Sequence, residues 1–394
     1  MTTDEIPGTE NAPVPVSTTA QAVERPWFTV GADSVKLLRD GAEAFPAMLG
    51  AIAKAEREIL LEMYWVGADA CGALFRDALT ERAKAGVTVR VIWDSIGSLG
   101  TNESWWQPLV AAGGDVREYH ALLSLTKKLE LDRIERRDHR KLLVCDGLIG
   151  FTGGINLSNQ WMPVDQGGEG WRDDNVAVKG PAVTELRALF YETWRRITRQ
   201  PRPKDVPLFP RHRARPVWVL ANNWRRRRSI RREYVVRIAN AKKSVDIANS
   251  YFVPDGGVRR ALFRAVARGV RVRVLVPARG DVPIVQFAVE ALFDQLLRHG
   301  VEVYAIPGPI LHSKVAIVDD EFATIGSYNL DERSWRKNLE VNLAVEDGPF
   351  ARYVREWFEH DLDTAVRVDL TTWRGRSTVR RGAEWVAFAL RKLW

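Results

Sequence analysis

The sequence predicts an α/β fold built from two similar halves, and three observations carry that prediction. Strand-like and helix-like segments alternate along most of the 394 residues. The same order of segments occurs twice. A proline-rich stretch, residues 200–216 with Pro201, Pro203, Pro207, Pro210 and Pro216, separates the two copies and reads as a linker, because proline fixes φ and removes a donor.

Residues 1–25 are rich in Thr, Pro, Glu and Ala without an apolar period, and we expect a disordered tail there. The first half is then residues 26–199 and the second 217–394. Ala55–Trp65 in the first corresponds to Ala241–Tyr251 in the second, each a helix end running into a strand. A helical segment closed by glycine follows in each. Val87–Trp93 then matches Val270–Val276, with the period-two alternation of a strand, and Gly86 and Gly269 suit helix C-caps. Strands alternating with helices imply largely parallel sheets.

The chemistry is carried by a constellation present once per half. His139, Lys141, Asp146, Gly153 and Asn156 recur at identical spacing as His312, Lys314, Asp319, Gly326 and Asn329. The chain has six histidines, and two of them take this one position. Leu142–Cys145 and Val315–Val318 read as buried strands. Residues i and i+2 of a strand share a face, so His and Lys should project together. The glycines after the strand would allow close backbone approach to a ligand, and Asn156 and Asn329 offer amide donors. A histidine with a lysine is half of a phosphodiester site: in-line displacement needs a nucleophile on one side of phosphorus and an acid on the other. Two lysines and two asparagines can stabilise the charged oxygens without a metal. Each half lacks what the other holds, which gives duplication a chemical purpose. A pair of merely structural histidines would not require the matched spacing.

This repeated HxKxxxxD pattern with its Gly and Asn tail resembles the signature of the phospholipase D superfamily, from about residue 26 onward. The resemblance implies two α/β/α sandwich halves about a pseudo-two-fold axis, one shared active centre and no cofactor or metal. It implies a phosphohistidine intermediate on either His139 or His312, of which we favour His139 with His312 as acid, and a structural part for Asp146 and Asp319. It also implies a downstream carboxylate orienting each histidine: Glu340 in Asn338–Asn342, and Asp173 in Arg172–Asn175, where Asp174 adjoins it. Arg137–Asp146, Ser250–Asp255 and Gly326–Ser334 resemble bacterial cardiolipin synthases more closely. The implied activity is transfer of a phosphatidyl group onto phosphatidylglycerol, with hydrolysis of phospholipid or nucleic acid by the same histidines as the alternative. Two intact motifs argue against a non-catalytic membrane-binding protein.

Composition limits the partners. The formal charge of +8 calls for an anionic partner. With the cardiolipin-synthase-like segments, this means anionic phospholipid and a membrane surface rather than nucleic acid. No run reaches the ~18 apolar residues of a spanning helix, and no signal-peptide pattern opens the sequence, so we expect peripheral attachment to the cytoplasmic face of the cell membrane. Cys71 and Cys145 lack metal-ligand spacing and read as buried free thiols in a reducing compartment. Arg225–Arg228 with Arg231 and Arg232 is either a lipid-facing run or a solvated helix face. Val379, Ala383, Val386, Leu390 and Leu393 recur at helical spacing among arginines, as either an interfacial helix or an ordinary packing helix. Oligomeric state is left open by a chain that carries its own duplicate.

Overall fold

The Val-x-Val runs form parallel strands in both halves. In the computed structural model, residues 6, 25–120, 136–210, 215–223 and 229–391 are described. Strands β3 (Glu58–Met63), β4 (Thr88–Asp94) and β5 (Asp115–Tyr119) run parallel in the first half. In the second, β10 (Ser244–Asn249), β11 (Arg271–Pro277) and β12 (Glu302–Ile306) do the same. The helices Ala70–Lys84 and Gly256–Ala267 make the first crossover in each half. Gly86 (φ +87°) and Gly269 (φ +86°) follow them in the left-handed region, which a side chain would strain.

The rest of each sheet is antiparallel, so the sheets are mixed rather than largely parallel. The cause is connection length. Only three residues, Asp146–Leu148, separate β6 (Lys141–Cys145) from β7 (Ile149–Gly153), and a chain that short can only turn back. The same holds between β13 (Lys314–Val318) and β14 (Phe322–Gly326). With β2 (Asp33–Arg39) and β8 (Asp174–Lys179) the first sheet reads β2-β8-β7-β6-β3-β4-β5, and β1 (Phe28–Val30) extends its edge. With β9 (Val217–Asn222) and β15 (Glu340–Glu346) the second reads β9-β15-β14-β13-β10-β11-β12, extended by β16 (Val366–Arg367). The two orders correspond strand for strand, as the duplicated sequence requires.

The halves meet along β7 and β8 on one side and β14 and β15 on the other. The helices Pro181–Thr198 and Gly348–Asp363 follow β8 and β15 and contribute to the shared core. Leu186 and Phe190 of the first pack in one cluster with Val354 and Phe358 of the second. Burying such faces between the sheets is worth about 25 cal/mol per Å² of apolar surface, so the halves are joined by a core rather than by a tether.

The structure bears on three of these segments. Most of residues 1–25 and the run Arg225–Arg228 lie outside the described residues, but Ile6 and Arg25 are both buried. Arg25 is no part of a tail: it pairs with Glu43 and stacks 4.0 Å over the Trp357 ring. Arg231 is not lipid-facing but bonds Asp255 at 2.7 Å. The helix Thr378–Ala389 packs on the helix Pro283–Glu290, yet its apolar stripe is not what it buries. Glu384, Ala387 and Phe388 face inward, whereas Val379, Ala383, Val386 and Leu390 are exposed; Leu393 lies outside the described residues.

Candidate active site

Each motif begins two residues before a buried strand. Lys141 opens β6 and Lys314 opens β13, while His139 and His312 sit just outside the sheet edge. Both histidines are fixed by the opposite half. His139 donates its backbone N–H to Leu339 O at 3.0 Å, and His312 donates its own to Arg172 O at 2.7 Å. The side chains repeat the exchange. His139 Nδ1 lies 3.0 Å from Glu340 Oε2, and His312 Nδ1 lies 2.8 Å from Asp173 Oδ2. Each carboxylate therefore serves the histidine of the other copy. Asp174, the neighbour of Asp173, turns to Arg172 (3.0 Å) and to the Ser313 hydroxyl, so it is not the orienting group.

The lysines stand beside the rings. Lys141 Nζ donates to His139 O at 2.9 Å and lies 4.8 Å from the centroid of Tyr64. Lys314 Nζ donates to Ser250 Oγ at 2.9 Å and to His312 O. The asparagines are held by their carbonyls: Asn156 Oδ1 accepts from Trp65 N (3.2 Å) and Asn329 Oδ1 from Ser250 Oγ (3.0 Å).

Asp146 and Asp319 stay away from this cluster. Asp146 accepts the backbone N–H groups of Glu56, Arg57 and Glu58 at 2.8–2.9 Å. Asp319 accepts those of Lys242, Lys243 and Ser244 at 2.6–3.0 Å. Each opens its hairpin turn with φ +56°, a conformation aspartate tolerates better than most residues, and ties that turn to the chain entering β3 or β10.

The glycines do not make room for a ligand. A Cβ on Gly154 would lie 2.2 Å from Asp173 Oδ1, and one on Gly153 or Gly326 would strike the adjacent strand, at Asp174 O (2.4 Å) or Val341 O (2.3 Å). Their space is already filled by β8, β15 and the orienting carboxylate. Where the first copy has Gly154, the second has Ser327, and its hydroxyl donates to Glu340. In the first copy Trp161 Nε1 takes that role, donating to Asp173 at 2.9 Å.

Burial governs the protonation states. It lowers both imidazoles well below their ordinary value, and the positive charges of Lys141 and Lys314 add to this. The two rings differ in the charges around them. The Arg333 charge further lowers His139; at His312 the Asp281 charge pulls upward while Lys141 and the His139 ring pull downward, and the net direction is the same for both rings. Burial also brings Lys141 down to about 7 and Lys314 to about 8, and pushes Glu340 up to about 7 and Asp173 to about 6. The centre is a desolvated cluster of cations and carboxylates, in which an anion would restore the lysine charge.

Sequence reasoning missed Tyr64, Trp161, Ser250, Ser327 and Arg333. Ser327 and Arg333 were legible as departures between the copies, standing where the first half has Gly154 and Gln160. Tyr64 and Ser250 stand at matching places near the ends of Ala55–Trp65 and Ala241–Tyr251, each beside its motif lysine, whereas Trp161 lies on the short helical turn Asn159–Trp161.

Comparison with known proteins agrees with this geometry. A family model described as cardiolipin synthase, PLD-like domain, matches residues 48–194 and 234–362. Cardiolipin synthase 2 of Bacillus anthracis is 32% identical over 357 residues, covering 89% of this chain and 68% of the relative. The major cardiolipin synthase ClsA of Bacillus subtilis (strain 168) is 32% identical over 335 residues, covering 84% of this chain and 69% of the relative. Among solved structures, the phosphatidylserine synthase of Haemophilus influenzae Rd KW20 shares the fold, with a TM-score of 0.70 at 13% identity over 94% of this chain and 95% of that one. Two copies of one motif, carboxylates exchanged between them, and relatives about a third identical over most of the length lead to one assignment: the chain belongs to the cardiolipin synthase family and is an enzyme of the phospholipase D superfamily.

Proposed function

We propose that the protein is a phosphatidyltransferase that forms cardiolipin from phosphatidylglycerol through a phosphohistidine. The observation that carries this reading is the single centre in which two buried imidazoles each receive a carboxylate from the opposite half, with a lysine beside each. With Nδ1 facing the carboxylate, Nε2 is the ring nitrogen that reacts. His139 Nε2 attacks phosphorus and the P–O bond to the glycerol headgroup breaks. His312 gives its proton to the leaving oxygen. In the second step His312 takes a proton from the hydroxyl of another phosphatidylglycerol, that oxygen attacks phosphorus, and the P–N bond breaks. Both imidazoles are lowered well below their ordinary value by burial, so the division of roles follows the phospholipase D resemblance, with His139 as nucleophile and His312 as acid. Lys141, Lys314 and the amides of Asn156 and Asn329 would hold the phosphoryl oxygens, so no metal is invoked.

Water competes at roughly 55 M, so transfer beats hydrolysis only if the acceptor is held in place and water is kept out. The burial of both rings supports that. Because the substrates are bilayer lipids, we place the enzyme at the membrane surface; free Cys71 and Cys145 fit its cytoplasmic side. The test is incubation with headgroup-labelled and acyl-labelled phosphatidylglycerol, followed by acid quenching and peptide mapping. Cardiolipin, free glycerol and label on His139 are expected. Phosphatidic acid as sole product would make the enzyme a hydrolase, and label on His312 would reverse the two roles.

A further inference from the structure

The helix Thr378–Ala389 is turned inside out. Its inward face carries a buried charge beside Ala387 and Phe388: Glu384 pairs with Arg376, just before the helix, and Arg380 reaches Glu290 at 3.0 Å, with both glutamates almost wholly buried. Its outward face carries Val379 (82% exposed), Ala383, Val386 (60%) and Leu390 (41%), with Trp385 (56%) alongside. In water the hydrophobic effect favours the reverse arrangement. A stripe at i, i+4, i+7 and i+11 left outward on a structured helix is a surface meant to be covered.

Positive charge gathers at the end of that stripe. The guanidinium groups of Arg391 and Arg259 lie 4.0 and 5.6 Å from the ring centroid of Phe388. Arg260 stands next to Arg259 on the neighbouring helix; burial lowers Arg259 below its ordinary value, and the charges of Arg391 and Arg260 add to this against the pull of Asp255. Neither Arg259 nor Arg260 makes an ion pair among the described residues. An apolar face ending in clustered arginines complements an anionic lipid surface: hydrocarbon against the stripe, headgroup phosphates against the guanidinium groups.

The position serves the active centre. The helix Pro283–Glu290, on which this helix rests, starts two residues after Asp281. Asp281 accepts the Tyr251 hydroxyl at 2.7 Å, and the Tyr251 ring lies 6.4 Å from that of His312. Val282 and Ile284, both exposed apolar residues, stand at the start of that helix beside Asp281.

We propose that the helix Thr378–Ala389, with Val282 and Ile284, seats the enzyme on an anionic bilayer, and that Arg259, Arg260 and Arg391 take lipid phosphates there. This rests on the reading of the protein as a lipid enzyme, but its test does not use the reaction. The full chain is sedimented with vesicles of phosphatidylglycerol in phosphatidylcholine and with vesicles of phosphatidylcholine alone. Binding to the anionic vesicles is expected to fall about tenfold or more in a Val379→Asp/Val386→Asp variant. It should weaken in Arg259→Glu/Arg260→Glu and in high salt. Because Val379 and Val386 are exposed, melting of the valine variant should not change, and its activity on detergent-dispersed lipid should stay within about twofold. Equal vesicle binding by wild type and the valine variant would overturn the proposal, as would equal binding to neutral vesicles. A concentration-dependent dimer that Val386→Asp dissociates would assign the stripe to a second copy, and also overturns it. Wild type that binds through this helix but forms no cardiolipin keeps the docking surface and removes the proposed reaction.

Discussion

His139 and Glu340 are 201 residues apart in the chain, yet Nδ1 of one lies 3.0 Å from Oε2 of the other. The pair joins the two copies at the reacting ring, and the Ser327 hydroxyl holds the same carboxylate.

Glu340→Gln should therefore leave the fold intact and lower kcat by about a hundredfold or more, since the amide keeps the shape but cannot stabilise the imidazolium form. Steady-state kinetics with circular dichroism as the fold control checks this. Full activity in a folded variant would take Glu340 out of the catalytic set.

Gly154→Ala tests the space next to Asp173. Its methyl group would lie 2.2 Å from Oδ1 and 2.7 Å from the carboxyl carbon, so the carboxylate must move off His312. We expect a loss of turnover comparable to that of Asp173→Asn, and a stability cost of about 1–3 kcal/mol from overpacking. The same change at Gly86, where a Cβ meets nothing within 4 Å, should leave turnover alone and cost only the left-handed strain.

Asp146→Ala should act on stability and not on chemistry. It removes three hydrogen bonds to backbone N–H groups and puts alanine at φ +56°. A loss of about 2–3 kcal/mol in chemical denaturation is expected, with kcat nearly unchanged at a temperature where the variant is folded. Asp146→Asn should cost less, because asparagine tolerates the conformation.

The depressed lysines predict how anion binding depends on pH. In the empty centre Lys141 titrates at about 7 and Lys314 at about 8, and a bound anion favours their protonated forms. Binding therefore takes up protons above these values and weakens as pH rises. Affinity for sulfate, whose own charge is constant there, should fall between pH 7 and 9, by up to about tenfold per unit for each lysine that must be recharged. Calorimetry in buffers of different ionisation enthalpy should report proton uptake. Pair titration without uptake would mean that the lysines stay charged throughout.

Much of this was legible in the sequence where the cause is local. The hairpins β6–β7 and β13–β14 follow from short buried runs broken by Asp146-Gly147 and Asp319-Asp320, and the motif fixes its own spacing. The downstream carboxylates could be named, but not which histidine each serves, because spacing within a copy says nothing about exchange between copies. The parallel reading was right for β3, β4 and β5 and failed for the hairpins, where connection length rather than strand composition sets direction. Gly154 looked like an opening for a ligand because its occupant, Asp173, comes from a different strand. The stripe Val379–Leu390 was read at the correct period, but its outward direction depends on Glu290, a partner 89 residues before Val379.

The exchange of carboxylates has a genetic consequence. A gene with a lesion at His139 and a second with a lesion at Glu340 each encode a chain whose one centre is defective, and mixing the two products restores neither. The lesions behave as a single locus even though they fall in different repeats. Rescue would come only from separately expressed halves that reassemble, an intact first half pairing with an intact second. Fusion of the repeats has also freed them from mirror identity: Gly154 and Ser327, or Gln160 and Arg333, could diverge because each now meets a fixed neighbour rather than a copy of itself.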